Sequence, residues 1–227
     1  MTSSPPDLHR SPPITLRRIL ERHPWLLVAA GALAVVLGVL AAIDRSRLLV
    51  WDRPITDAVI ELRSPTVDRV ALWVSRLGST PVVLAAGAAG VALAARRCRT
   101  VALVMLVVVA ARPPFEWLVK EIVARPRPPV GARLVAGTGY SYPAGHVLAA
   151  AATWGFLPAI AALYVKRHWV WWTLTGITCG VLVLVAWCRV WLGVHWVSDV
   201  VGSLAIAFVA LAAAEAAIDR RHRRPDV

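Results

Sequence analysis

Cys188-Arg189-Val190-Trp191-Leu192-Gly193-Val194-His195-Trp196-Val197-Ser198-Asp199 sets a guanidinium, an imidazole and a carboxylate inside a long apolar neighbourhood. Such groups are expensive at a membrane border and mark function there. His195 and Asp199 are four residues apart. If the last apolar segment is a helix, the two stack on one face, one turn apart, and the carboxylate accepts an imidazole N–H and fixes its tautomer. The second ring nitrogen is then free to act as nucleophile or base. Arg189 is expected on the connection just before that helix, where its planar fork of donors suits a phosphate or carboxylate.

Outward from this stretch the chain remains apolar. Hydrophobic residues make up 58% of its 227 positions and the mean hydropathy is +0.64, against about 45–50% apolar in ordinary soluble domains. Runs long enough to cross a bilayer as helices occupy Trp25–Ile43, Thr80–Ala95, Thr100–Val123, Gly145–Val165, Trp169–Trp187 and His195–Ile218. The first is longer than the apolar part of a signal peptide and follows an extended basic lead, so it reads as an uncleaved anchor. Between the first two runs, Pro54–Arg63 and Val67–Gly78 carry apolar residues at three- and four-residue spacing interrupted by charges, and Pro65 divides them. They read as amphipathic helices at the membrane surface, the second leading towards a span. Proline and glycine make residues 124–144 a loop. The expected fold is an all-α integral membrane protein, a bundle of six transmembrane helices with short amphipathic surface helices between spans 1 and 2. Its expected parts are a basic tail over 1–24, a membrane domain over 25–218 and a second basic tail over 219–227. Cys98, Cys179 and Cys188 form no ligand or disulfide pattern and read as small buried fillers.

A net charge of +12 and a pI near 11.2 raise the question of nucleic acid. Their distribution answers it. With alternating spans, the amino-terminal tail, the Arg96 turn, the Lys166 turn and the carboxy-terminal tail fall on one side and hold four, three, two and four basic residues. The positive-inside rule makes that side cytoplasmic, with both termini in the cytoplasm and no nucleic-acid partner needed. Trp25, Trp169, Trp171 and Trp172 then lie near the inner border, and Trp51, Trp187, Trp191 and Trp196 near the outer one.

On the outer side, span parity brings together Lys120, Arg125, Arg127, His146, Arg189, His195 and Asp199. A lone outer arginine commonly meets a lipid phosphate, and a lone helix-end histidine is commonly a cap. Three clusters on one face are better explained by a shared ligand. Arg125 and Arg133 are assigned to lipid headgroups at the entrance, and Glu116 and Glu121 to balancing the charge of Lys120.

Lys120 with six residues to Arg127-Pro128, then Pro143-Ala144-Gly145-His146, then Arg189 with five residues to His195 and three more to Asp199, resembles the three-part signature of the type 2 phosphatidic acid phosphatase (PAP2) superfamily. The resemblance covers roughly residues 44 to 210, and Asp52, Arg63-Ser64-Pro65 and Leu77-Gly78-Ser79 look like the region that precedes the signature in bacterial members. Ala144 and Cys188 stand where the family usually has serine.

The resemblance implies metal-independent hydrolysis of a lipid phosphate or diphosphate at the extracytoplasmic face of the plasma membrane. Polyprenyl diphosphate, phosphatidic acid and phosphatidylglycerophosphate are the substrates it offers, and sequence does not choose among them. It makes His195 the nucleophile that forms a phosphohistidine, Asp199 its orienting carboxylate, and His146 the acid and then the base. Lys120, Arg127 and Arg189 bind phosphate, with Gly145 allowing close approach at a helix start. Three cations balance the charge and the chain lacks a magnesium-type carboxylate cluster or a zinc-type histidine pair, so no metal and no cofactor are expected. The alternative is a catalytically silent protein of the same fold that binds or transports phospholipids or polyprenyl phosphates, favoured only by Ala144. An anion channel would need a polar stripe that the Ala, Val and Leu of the spans do not offer, and a haloperoxidase would need a soluble shell. Partners are the lipid and the bilayer. Oligomeric state is left open.

Overall fold

The computed structural model describes residues 25–43 and 45–223. The tail expected over residues 1–24 lies outside them, as do residues 224–227. Nine α-helices occur among the described residues: α1 Trp25–Ile43, α2 Arg45–Glu61, α3 Pro65–Ser75, α4 Thr80–Ala95, α5 Arg99–Val123, α6 Gly145–Trp154, α7 Leu157–Ala162, α8 His168–Trp191 and α9 Val197–Arg223. Single 3₁₀ turns cover Arg76–Gly78 and Val130–Ala132. No strand occurs among the described residues.

Five segments are long and apolar enough to cross a membrane, α1, α5, α6 with α7, α8 and α9. A sixth is formed when Pro65–Gly78 and α4, bent by 44° at the break, are taken together. The 19 residues of α1 reach about 28 Å at 1.5 Å per residue, close to a bilayer core. Val28, Val35, Leu84, Leu106, Ile177 and Val183 point outward and are exposed, which apolar helices tolerate only where lipid rather than water covers them. The multi-pass helical architecture is thus the expected one.

At the centre stands α6. Val147 through Thr153 are all buried, and four consecutive alanines let α5, α8 and α9 approach it closely. Its course ends at Gly155, where a Cβ would lie 2.6 Å from Leu211 Cδ2, and Pro158 lies in the first turn of α7. The fourth span is therefore two short helices rather than the continuous one expected over 145–165.

Several ends differ from expectation. The α2 helix starts at Arg45 and carries Pro54 within it. The α3 helix begins where Ser64 caps it, its hydroxyl accepting the Val67 N–H at 3.5 Å, with Pro65 next. At the other end of the chain, α9 runs on to Arg223, past the boundary expected at Ile218. Most consequential, α8 continues to Trp191, so Arg189 lies in its last helical turn and not on the connection. Nothing in Cys188–Trp191 breaks a helix, and a cation in the last turn suits the dipole.

The tryptophans divide into two groups. Trp51, Trp169, Trp172 and Trp187 are exposed as interfacial rings should be. Trp171, Trp191 and Trp196 are buried and use their indole N–H internally: to Val165 O at 2.8 Å, Asp68 Oδ1 at 2.8 Å and Pro126 O at 2.9 Å. An indole near a helix end can satisfy its donor inside the bundle as well as at the membrane border.

Candidate functional site

The link from α8 to α9 is a sharp corner made possible by Gly193, whose φ is +71°. A Cβ at this residue would overlap the Ala132 carbonyl and meet Arg63 Nη2 at 2.9 Å, so glycine is required on two counts. Beyond the corner come Val194, His195 and Trp196. Asp199 lies in the first turn of α9 and accepts the Trp196 N–H on Oδ2 at 3.0 Å, as the acid of a capping box does.

His195 therefore precedes α9 instead of lying on it. Its Nδ1 stands 3.6 Å from Asp199 Oδ2, beyond hydrogen-bond reach, and has no hydrogen-bond partner among the described residues. The expected imidazole-to-carboxylate hydrogen bond is thus an electrostatic contact, to the same Asp199 oxygen that accepts the Trp196 N–H. The other ring nitrogen, Nε2, lies 3.1 Å from Arg127 Nη1. An N–H of Arg127 can donate to it only if Nε2 carries the lone pair, which puts the proton on Nδ1 facing Asp199. Burial pushes the His195 pKa down to about 4, against the pull of Asp199.

Arg127 is oriented by loop carbonyls. Nη2 donates to Thr138 O at 2.8 Å, Nη1 to Val194 O at 2.7 Å, and Nε reaches Gly139 O at 3.1 Å. Burial lowers its pKa, opposed chiefly by Asp199. Arg189, buried at the end of α8, donates from Nη1 to Ser75 Oγ at 2.8 Å, while its Nε has no hydrogen-bond partner among the described residues. His146 is in the first turn of α6, within electrostatic range of Arg189, His195, Lys120 and Arg112. Gly78 lets the 3₁₀ turn close on it, since a Cβ there would lie 2.9 Å from His146 Cβ. Ala144 caps α6 without a side-chain bond, and its own N–H goes to Ser203 Oγ at 2.7 Å.

Arg125 does not face lipid headgroups. It is 1% exposed and joins two carboxylates, donating from Nη2 to Asp52 Oδ2 at 2.6 Å and from Nη1 to Asp199 Oδ1. The same Nη1 reaches Ser198 Oγ at 2.7 Å. Asp52 also takes the Ser198 N–H at 2.9 Å and its hydroxyl at 2.6 Å. Arg63 braces the cup from outside, donating to Trp191 O at 2.6 Å and Ala132 O at 2.8 Å. Arg133 likewise bonds loop carbonyls, Pro128 O at 2.8 Å and Gly137 O at 3.5 Å.

Lys120, Arg127, His146, Arg189, His195 and Asp199 thus meet at one end of the bundle, with Gly145 opening α6 among them. Lys120 is committed to Glu116 on its own helix at 2.6 Å. Sequence reasoning missed the roles of Asp52, Arg125, Ser75 and Ser203. No local signal separates Arg125 from Arg127, because residues two apart in an extended run such as Arg125-Pro126-Arg127-Pro128 share a face.

A sequence model described as the PAP2 superfamily matches residues 93–223. Phosphatidylglycerophosphatase B of Bacillus subtilis (strain 168) is 31% identical over 180 residues, 74% of this chain and 84% of the relative. The crystal structure of a transmembrane PAP2-type phosphatidylglycerolphosphate phosphatase from Bacillus subtilis aligns with a TM-score of 0.74 at 27% identity, over 89% of this chain and 100% of that one. Matched motifs, an aligned relative and a shared bundle agree, and the chain belongs to the PAP2 superfamily, among its membrane-embedded phosphatases.

Proposed function

We propose that the chain removes phosphate from a lipid phosphate or diphosphate through a phosphohistidine on His195, at the extracytoplasmic border of the membrane. Phosphatidylglycerophosphate is the candidate suggested by both relatives. The observation that carries the reading is the setting of His195, with Nδ1 towards Asp199 and Nε2 beside the Arg127 guanidinium.

At neutral pH a histidine titrating near 4 is uncharged, so Nε2 keeps its lone pair for phosphorus. Arg127 holds that lone pair until a phosphate oxygen competes for the same N–H. Attack by Nε2 forms the N–P bond as the P–O bond to the lipid breaks, and His146 gives its proton to the departing oxygen. Asp199 steadies the positive charge that develops on the His195 ring. Water then loses a proton to His146 and attacks phosphorus, the N–P bond breaks, and inorganic phosphate leaves. Arg127, Arg189 and the open start of α6 balance the charge on the non-bridging oxygens throughout. The four basic segments on the opposite side support an outward-facing site.

The test is phosphate release by purified protein in detergent from phosphatidylglycerophosphate, phosphatidic acid and a polyprenyl diphosphate. His195→Ala is expected to reduce release from every substrate to background. A His146→Ala variant is expected to accumulate an acid-labile phosphoryl group on His195. Retained turnover in the His195 variant overturns the nucleophile. In a variant otherwise free of cysteine, labelling of Thr138→Cys by an impermeant maleimide on intact cells checks the face.

A further inference from the structure

One face of α5 carries Arg112, Glu116 and Lys120 at four-residue intervals. Glu116 accepts Lys120 Nζ on Oε1 at 2.6 Å and Arg112 Nη1 on Oε2, and each side chain is less than a fifth exposed. The carboxylate also lies against the backbone of Gly145, where an added Cβ would overlap Oε1 and come within 2.7 Å of Oε2. An acid is therefore seated beside the uncapped start of α6, where backbone N–H groups favour an anion. Arg112 reaches it from an apolar groove lined by Val108, Phe115, Leu148 and Ala152, and leaving either charge unpaired there is costly.

The other two cations of the cup differ. Arg127 bonds carbonyls and His195, and Arg189 bonds a serine hydroxyl with its Nε unmatched among the described residues. Asp199, the nearest acid, gives its oxygens to Arg125 and to the Trp196 N–H. Arg127 and Arg189 therefore offer charge to a ligand, while Lys120 is tethered by a carboxylate that it shares with Arg112, the three together keeping a net charge of +1. Two free cations match the dianion of a phosphomonoester. A diphosphate brings further charge on its inner phosphoryl group and needs the third.

We propose that Glu116 is a specificity-determining residue: by holding Lys120 it fits the site to lipid monophosphates and disfavours lipid diphosphates. The proposal rests on the phosphatase reading for its substrate class, and its test works without turnover. Inorganic phosphate and pyrophosphate are titrated calorimetrically into the purified full chain, wild type and Glu116→Gln. The variant is expected to tighten pyrophosphate by about tenfold or more relative to phosphate, the order expected when one part-buried charge is removed. Glu116→Asp, which keeps the charge, is expected to retain the wild-type ratio. Should the glutamine variant fail to fold, Glu116→Gln with Arg112→Gln keeps the net charge of +1 while releasing Lys120, and a ratio moved towards pyrophosphate is expected again. An unchanged ratio, or one that moves towards phosphate, overturns the proposal. Where lipid substrates turn over, kcat/KM for a polyprenyl diphosphate relative to phosphatidylglycerophosphate is expected to rise in step. A wild type that turns over neither lipid defeats the phosphatase reading and leaves the binding comparison standing.

Discussion

Arg125 donates to Asp199 on the oxygen opposite the one that faces His195. The carboxylate is thus clamped from behind, and Asp52 supplies the counter-charge to the clamp. Lysine is a point charge and cannot bridge both acids. Arg125→Ala is expected to cost about 3–5 kcal/mol, because it leaves buried carboxylates uncompensated. Arg125→Lys is expected to lose less stability but to lower kcat with little change in KM, since it acts on the orientation of Asp199. Thermal unfolding in detergent and steady-state kinetics separate the two.

Stability is expected to depend on pH through His195. Its pKa falls from an ordinary 6.5 to about 4 on folding, so the unfolded chain binds this proton more readily. The stabilisation is complete above pH 6.5 and is lost as pH falls from 6.5 towards 4, by about 3 kcal/mol at 1.36 kcal/mol per unit. Melting temperatures across that window should drop in the wild type, and the drop should shrink in His195→Asn. An imidazole resonance of His195 titrating above pH 6 would contradict the burial argument.

Gly193→Ala combines a left-handed backbone, costing about 1–2 kcal/mol for other residues, with overlap of the Ala132 carbonyl. The corner that delivers His195 would have to open. Turnover is expected to fall by about a hundredfold, as misplacing a reacting group by an ångström can cost, with the helical circular dichroism preserved.

Ala144→Ser returns a hydroxyl to the cap position of α6, which no side chain serves. A serine cap contributes about 1 kcal/mol, so a small rise in melting temperature is expected. The charges and proton carriers of the site are untouched, and activity on a lipid phosphate should remain within about tenfold of the wild type. A larger loss would show that position 144 has no room for the oxygen.

The fold and the convergence of the candidate site residues were legible because they rest on one-dimensional signals. Apolar run lengths give the spans, and parity alone brings His146 and His195 to one end. What escaped depends on where side chains turn. Arg125 and Arg127 sit two apart in one basic loop, yet the first is sealed between acids and the second meets His195. Trp187 and Trp191 are one helical turn apart, the first exposed and the second buried with its N–H on Asp68. Asp52 and Ser75 are 73 and 114 residues from the groups they serve, and no local pattern reports such a pairing. The helix-to-helix corner at Gly193 also set His195 off the helix on which a four-residue spacing would place it.

Asp52, Arg63 and Ser75 all come before the stretch 93–223 that carries the recognisable motifs. One balances Arg125, one ties down the Arg189 end of α8, and one grips Arg189 itself. The signature is accordingly a tenant in a house built by its upstream neighbour. A polypeptide starting at the fourth helix would keep every hallmark residue and lose the scaffolding that gives them their aim. Transplanting these motifs onto another bundle would have to bring that earlier pair of surface helices along.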